Sequence, residues 1–281
     1  MSLLPLQSRG AFKFITCLTR RHAVPEKRAS IGLILGALTI GTLFLVNSYF
    51  SGTNNHAGVT VHLAGDSTMA EQLATKRPDT GWGEPFATML CNGARVINHA
   101  QNGRSSKSFL SEGLWEALVS KLKNRDVVLI QFGHNDQKIG NESLYVAARD
   151  GYKKNLRGFI EDVHAKGAVP VLVTPLVRRT FDSQGELQAT LGEYPAVVRE
   201  VAHETNVKLI DLNTITRDLL VGMGPLTSRD WFVHLAPGVS KNYPQGKQDD
   251  THLSPLGARE IAGRVAIELR KTMPEVICPD K

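Results

Sequence analysis

Beyond residue 58 the chain alternates two apolar patterns. Short runs carry almost no polar interruption: Val59 to Leu63, Arg95 to Asn98, Asp126 to Phe132, Val169 to Val173 and Lys208 to Leu212. Runs of Val, Ile and Leu without strict alternation predict strands buried on both faces, as in a parallel sheet. Amphipathic stretches fill the gaps. Tyr152, Leu156, Phe159, Ile160 and Val163 recur at i, i+4, i+7, i+8 and i+11, one face of a helix that Gly167 should stop. Tyr194 to Thr205 predicts another helix. The last begins at Ser254-Pro255, where Ser can cap and Pro fits the first turn, and runs to about Thr272. Neither a repeat nor a second folded domain is evident. The expected fold is α/β, a three-layer α/β/α sandwich around a mainly parallel central sheet. Two stretches break the alternation. Arg178 to Leu191 and Gly222 to Asp249 are polar and rich in Gly and Pro, and read as loops. Trp231, Phe232 and Tyr243 favour an ordered loop that shapes a site.

The amino-terminal part differs. Ile31 to Phe50 is apolar all round, and no Lys, Arg, Asp or Glu occurs between Arg28 and Asp66. At about 1.5 Å rise per residue, such a run matches a hydrocarbon layer of roughly 30 Å. It reads as a retained signal anchor. The rival is a cleaved signal peptide, against which stand the long basic region and the weak cleavage sequence Asn54-Asn55-His56-Ala57. The expected order is a basic cytoplasmic tail (1–30), the anchor (31–50), a linker (51–57) and the exported domain (58–281). The exported domain is then inner-membrane-anchored and faces the periplasm or the cell exterior; with cleavage it is secreted.

Charge placement changes the picture more than its total. Six basic residues against Glu26 put five of the chain's six net positive charges in that tail, leaving one for everything after it. The high pI is therefore a tail property and argues against a nucleic-acid groove in the folded domain. Of the cysteines, Cys17 would be cytoplasmic, while Cys91 and Cys278 would face the exported side as a disulfide or as two free thiols.

Four blocks carry candidate chemistry: Gly65-Asp66-Ser67-Thr68, Asn102-Gly103-Arg104, Gly133-His134-Asn135-Asp136 and Asp249-Asp250-Thr251-His252. Each alone has a commoner reading, as a helix cap, an Asn-Gly turn or a solvated acidic doublet. Together they differ, because Ser67, Gly103 and Asn135 follow successive predicted strands and so converge at one edge of a parallel sheet. Ser67 is the candidate nucleophile and His252 the candidate base. Asp249, three residues before His252, can orient the imidazole, with Asp250 as the competing acid. The Ser67 and Gly103 N–H groups and the Asn135 amide can hold an oxyanion.

These blocks resemble the SGNH (GDSL-type) hydrolase superfamily, whose four signature residues map onto Ser67, Gly103, Asn135 and His252. Gly81-Trp82-Gly83, Asn98 to Ser106, Thr174-Pro175-Leu176, Arg178-Arg179, Tyr194-Pro195 and Thr251 to Ala258 are further similar to its rhamnogalacturonan acetylesterase branch. The likeness spans about residues 58–273. It implies a flavodoxin-like fold and deacetylation of a sugar ester through an acetyl-serine, with no metal or other cofactor. The implied substrate is an acetylated oligosaccharide or polysaccharide, in the first place pectic rhamnogalacturonan. Three rivals remain: an SGNH esterase acting on another glycan or acyl ester, a metal-dependent phosphoesterase using Asp66, His134, Asp136 and Asp249, and a carbohydrate-binding domain without turnover.

Overall fold

A computed structural model describes residues 58–278. The predicted tail, anchor and linker lie outside the described residues. Among the described residues no helix is long and apolar enough to cross a membrane.

In chain order the elements are β1 (Thr60–Gly65), α1 (Gly83–Phe86), β2 (Arg95–Asn98), α2 (Ser106–Ser111), α3 (Leu114–Val119) and β3 (Val127–Gln131). Then come α4 (Lys153–Ala165), β4 (Val169–Val173), α5 (Tyr194–Thr205), β5 (Lys208–Ile210), α6 (Leu212–Thr227), β6 (Phe232–Leu235), β7 (Lys247–Leu253) and α7 (Pro255–Arg270). Five parallel strands form the central sheet in the order β2-β1-β3-β4-β5. The chain leaves β1 toward one side and returns past it to the other, so a crevice opens at the carboxyl ends of β1 and β3.

Side-chain alternation makes the three layers. Val61, Leu63, Val127, Leu129, Val171 and Val173 point to one face and pack against Phe86 of α1 and Ile261, Val265 and Leu269 of α7. Val128, Ile130 and Leu172 point to the other and meet Phe109, Leu118, Phe159, Val163 and Val198 from α2 to α5. Each large side chain so buried stabilises the fold by about 1.5–3 kcal/mol relative to exposure. α4 ends as its glycine predicts. Gly167 has φ +68°, its N–H reaches His164 O at 2.9 Å, and the Ala168 N–H reaches Val163 O at 3.2 Å. α7 begins with Pro255 and the Ser254 hydroxyl, which accepts from the Gly257 N–H.

Several boundaries differ from expectation. β5 stops at Ile210, because Asp211 caps α6 through the Thr214 N–H. The segment Gly222–Asp249 is not one loop. α6 extends into it, kinked where Gly224 takes φ +70° before Pro225. Its remainder contains β6, and its end opens β7, which pairs with β6 as an antiparallel hairpin. The loop Arg178–Leu191 does lack regular elements, apart from a bridge between Phe181 and Leu187. Cys91 and Cys278 are bonded, with Cα atoms 4.9 Å apart.

Candidate active site

The site begins where β1 ends. Asp66 and Thr68 are buried, and Ser67 between them is only partly covered. After Ser67 the chain makes a single turn, closed by the Met69 and Ala70 N–H groups on Asp66 O at 3.1 and 3.0 Å. Asp66 fixes that turn by accepting from the Thr68 N–H and hydroxyl at 2.9 and 2.8 Å. Burial alone would raise its pKa, but the His134 charge and hydrogen bond and the Thr68 donors hold it below the usual carboxylate range. Gly81 lets the next segment close over this turn, since a Cβ there would stand 2.0 Å from Ala70 O.

The four sequence blocks meet here. The Ser67 hydroxyl lies 3.0 Å from His252 Nε2, and His252 Nδ1 lies 2.7 Å from Asp249 Oδ2. The acid and the histidine both sit on β7. Val233 pairs with Asp249 and the preceding Phe232 with Leu253, so Asp250, Thr251 and His252 bulge out of the ladder. The bulge lets Asp249 Oδ1 accept from the Thr251 and His252 N–H groups, each at 2.9 Å. Burial pushes the Asp249 pKa up, yet His252 and these two donors outweigh it and leave the carboxyl far below its ordinary value. Asp250 is engaged elsewhere, with Arg179 Nη1 at 2.6 Å and His234 Nε2 at 2.9 Å.

Gly103 has φ +76° and open space beside its Cα, so conformation rather than crowding favours glycine there. Among the described residues neither the Ser67 N–H nor the Gly103 N–H has a protein acceptor. Asn135 is buried; its Nδ2 donates to Arg104 O at 3.0 Å and its Oδ1 accepts from Lys138 Nζ at 2.6 Å. An Asn amide has two N–H donors, so one is left for a ligand. The arrangement can activate a serine hydroxyl through an oriented imidazole and offer three donors to a developing oxyanion.

Sequence reasoning missed the residues that hold these parts in place. The Gln72 and Asn102 amides pair reciprocally at 2.9 and 2.8 Å, and Gln72 Nε2 also reaches Ser67 O at 2.9 Å. This clamp ties the serine turn to the Gly103 turn. Behind it Trp82 Nε1 donates to Gln131 Oε1 at 2.9 Å, and Gln131 Nε2 donates to Thr68 Oγ1 at 2.7 Å. The signal for Gln131 was available: a polar residue inside an apolar strand needs a buried partner.

Asp79, Asp249 and His252 present atoms within 4.8 Å of one another, a spacing that could hold a metal ion. Lys247 already supplies a cation there, with Nζ 2.7 Å from Asp79 Oδ2 and 3.1 Å from Asp249 Oδ2. The set Asp66, His134, Asp136 and Asp249 does not gather. Asp66 holds His134, and Asp136 turns to Ser106 and the Gly133 N–H.

A flavodoxin-like sheet with a serine, an imidazole and a carboxylate in hydrogen-bonded series defines a serine hydrolase of the SGNH type. Comparison with known proteins narrows this. Residues 63–260 match the model of the GDSL-like lipase/acylhydrolase family, and the chain belongs to that family of carboxylic ester hydrolases. It is 40% identical over 208 residues to the rhamnogalacturonan acetylesterase RhgT of Bacillus subtilis, covering 74% of this chain and 88% of that one. It is 31% identical to the probable rhamnogalacturonan acetylesterase YesY of the same organism, covering 73% and 90%. Among solved structures, Bacillus subtilis YxiM superposes with a TM-score of 0.64 at 26% identity, over 76% of this chain and 56% of that one.

Proposed function

We propose that the protein removes O-acetyl groups from acetylated carbohydrate, with rhamnogalacturonan oligosaccharides as substrate, through an acetyl-serine on Ser67. Ser67 Oγ attacks the acetyl carbonyl while its proton passes to His252 Nε2. Asp249 holds the imidazole with Nδ1–H toward its carboxylate. The oxyanion sits against the Ser67 N–H, the Gly103 N–H and Asn135 Nδ2. Collapse expels the sugar hydroxyl, which takes the proton from His252. Water then attacks the acetyl carbonyl and gives a proton to the same nitrogen; collapse breaks the bond to Ser67 Oγ, which takes that proton back as acetate leaves.

The observation that carries the reading is the lining of the cavity at Ser67. It measures about 490 Å³ and is walled by Gln72, Asn102, Lys138, Arg178, Thr251 and other residues, with no Val, Leu, Ile, Met, Phe, Tyr or Trp among them. Such walls suit sugar hydroxyls better than an acyl chain. The 40% identity to a rhamnogalacturonan acetylesterase supports the same substrate. Acetate release by the full-length protein from acetylated rhamnogalacturonan and from acetylated xylan tests it. Release from the pectic substrate that disappears in Ser67→Ala is expected. Release from xylan alone would keep the esterase and discard the pectic substrate.

The same proposal places the domain outside the cytoplasm, tethered by residues 31–50. The Cys91–Cys278 bond supports this, since disulfides persist in oxidising compartments. Membrane fractionation with protease digestion of intact cells tests it; a protease-resistant domain in the cytosolic fraction would sink it.

A further inference from the structure

The cavity at Ser67 carries more positive charge than its own carboxylates balance. Four cations line it: Lys76, Lys138, Arg178 and Lys247. Lys247 is spent on Asp79 and Asp249. Lys76, Lys138 and Arg178 have no carboxylate within ion-pair distance among the described residues. Lys76 is exposed, and solvation alone accounts for it.

Arg178 is different. It follows β4 at the same sheet edge as the catalytic turns and is partly buried. Its acceptors are all neutral: His134 O at 3.3 Å, and Thr190 O and Oγ1 at 3.4 Å each. With the Gln137 amide oriented to donate to Thr190 O, its Oε1 lies 2.9 and 2.7 Å from the two Nη atoms. Burial draws the Arg178 pKa below the usual guanidinium value, and distant Asp66 only partly offsets it. A guanidinium withdrawn from water without an anion is a costly arrangement, and an arriving carboxylate relieves the cost. A second observation lies beside it. His134 is 3% exposed and lines the cavity, and its Nε2 is the one buried side-chain N or O atom without a partner among the described residues. Lys138, bonded only to neutral Asn135 Oδ1, stands on the same wall. Along α4 and α5, by contrast, Arg149, Lys153 and Arg157 are paired with Glu193, Glu200 and Glu204.

We propose that Arg178, with Lys138 beside it, forms a subsite for the carboxylate of an acidic sugar, while the His134 Nε2 lone pair, left free because Nδ1–H faces Asp66, accepts from a sugar hydroxyl, so that the esterase selects acetylated uronic-acid oligosaccharides over neutral ones. The proposal rests on the carbohydrate-deacetylase reading and adds the residue that reads the charge. A planar guanidinium gives a planar carboxylate paired N–H···O bonds once the long contacts to His134 O and Thr190, at 3.3 to 3.4 Å, yield to it, and a lysine cannot reproduce that pair.

The test compares two forms of one substrate with the full-length protein. The first is an O-acetylated rhamnogalacturonan oligosaccharide with free carboxyls. The second is the same oligosaccharide after reduction of its carboxyls to primary alcohols. The readout is the ratio of kcat/KM for acetate release, acidic over reduced. A charge-assisted pair of hydrogen bonds predicts a ratio of about 10 to 100 in the native enzyme. Arg178→Gln should bring that ratio near one, mainly through KM for the acidic substrate, and Arg178→Lys should fall between. Equal kcat/KM for the two forms in the native enzyme would overturn the subsite even if no Arg178 variant folds. So would an Arg178→Gln protein that slows both forms equally and keeps the ratio. Serine-dependent release from small synthetic acetates, with none from either oligosaccharide, would overturn the carbohydrate reading itself. Equal release from both oligosaccharides would leave that reading standing and remove only the subsite.

Discussion

Breaking the Cys91–Cys278 bond opens a cross-link between positions 187 residues apart. In the chain-entropy account the bond stabilises by restricting the unfolded chain, and a loop of this length corresponds to about 5 kcal/mol at 25 °C. The native contacts around it stay available. The Cys91 N–H donates to Val276 O and the Cys278 N–H to Met89 O, each at 2.9 Å, and Val276 and Ile277 are buried in the core. Reduction should therefore leave the fold intact at room temperature and lower its resistance to heat. For a domain of this size about 1 kcal/mol moves Tm by 2–4 °C, so the shift should be about 10–20 °C. The assay is thermal unfolding of the full-length protein with and without reductant, beside a Cys91→Ser/Cys278→Ser variant. Thiol titration of the denatured, unreduced chain should find only Cys17. Three reactive thiols would refute the bond. A confirmed bond whose loss leaves Tm unchanged would refute the entropic account for this fold.

Asp249→Asn should lower kcat by about 10⁴, because the amide no longer holds the required imidazole tautomer. Asp250→Asn, removing a partner of Arg179 and His234, should act chiefly on stability; kcat values that reverse this order would reassign the acid. Asn135→Ala should lower kcat by about 10²–10³ in a protein that still folds, with a modest fall in Tm from the lost bonds to Arg104 O and Lys138, and a loss confined to KM would deny it an oxyanion role. His99 supplies a pH dependence: burial first, then the positive potential of His62 and Lys121, lowers its pKa to about 4. The unfolded chain takes up a proton near pH 6.5 that the folded chain refuses until about 4, so stability should fall as pH drops through that window. Urea titrations of the native protein and His99→Gln across that window should show a shallower slope in the variant.

What the sequence disclosed follows the range of the forces involved. β1, β3 and β4 were legible because burial on both faces leaves unbroken apolar runs, and α4 because its apolar stripe repeats over three turns. α2 and α3 escaped because each has six residues, too few for a period to stand out. α6 escaped because Leu212, read as the end of a strand, is its first residue after the Asp211 cap. β7 was not read as a strand because Lys247-Gln248-Asp249-Asp250-Thr251-His252 carries no apolar alternation, and β6 because its four residues are too few to show a period. Pairing with β6 and the demands of the bulge outweigh propensity there. The candidate catalytic side chains were visible as types at turns. The amide clamp of Gln72 and Asn102 was not, because hydrogen bonds across 30 residues leave no local pattern.

The Asp249-Asp250 doublet resolves in a way that spacing alone could not supply. Three donors on the sheet edge, at Ser67, Gly103 and Asn135, share one rigid frame, whereas the acid and the base arrive on a hairpin packed beside it. Catalysis needs the two pieces registered to within a fraction of an ångström. The second aspartate does part of that work. While Asp249 orients His252, Asp250 anchors the bulge, its carboxylate on Arg179 Nη1 and its carbonyl on the Arg179 N–H at 2.8 Å. Arg179 adjoins Arg178 after β4, so one Arg-Arg doublet meets one Asp-Asp doublet across the site. One member of each faces the reaction, and the other two bind each other. The neighbours that made the assignment ambiguous in sequence are thus the contact that fixes the hairpin to the sheet.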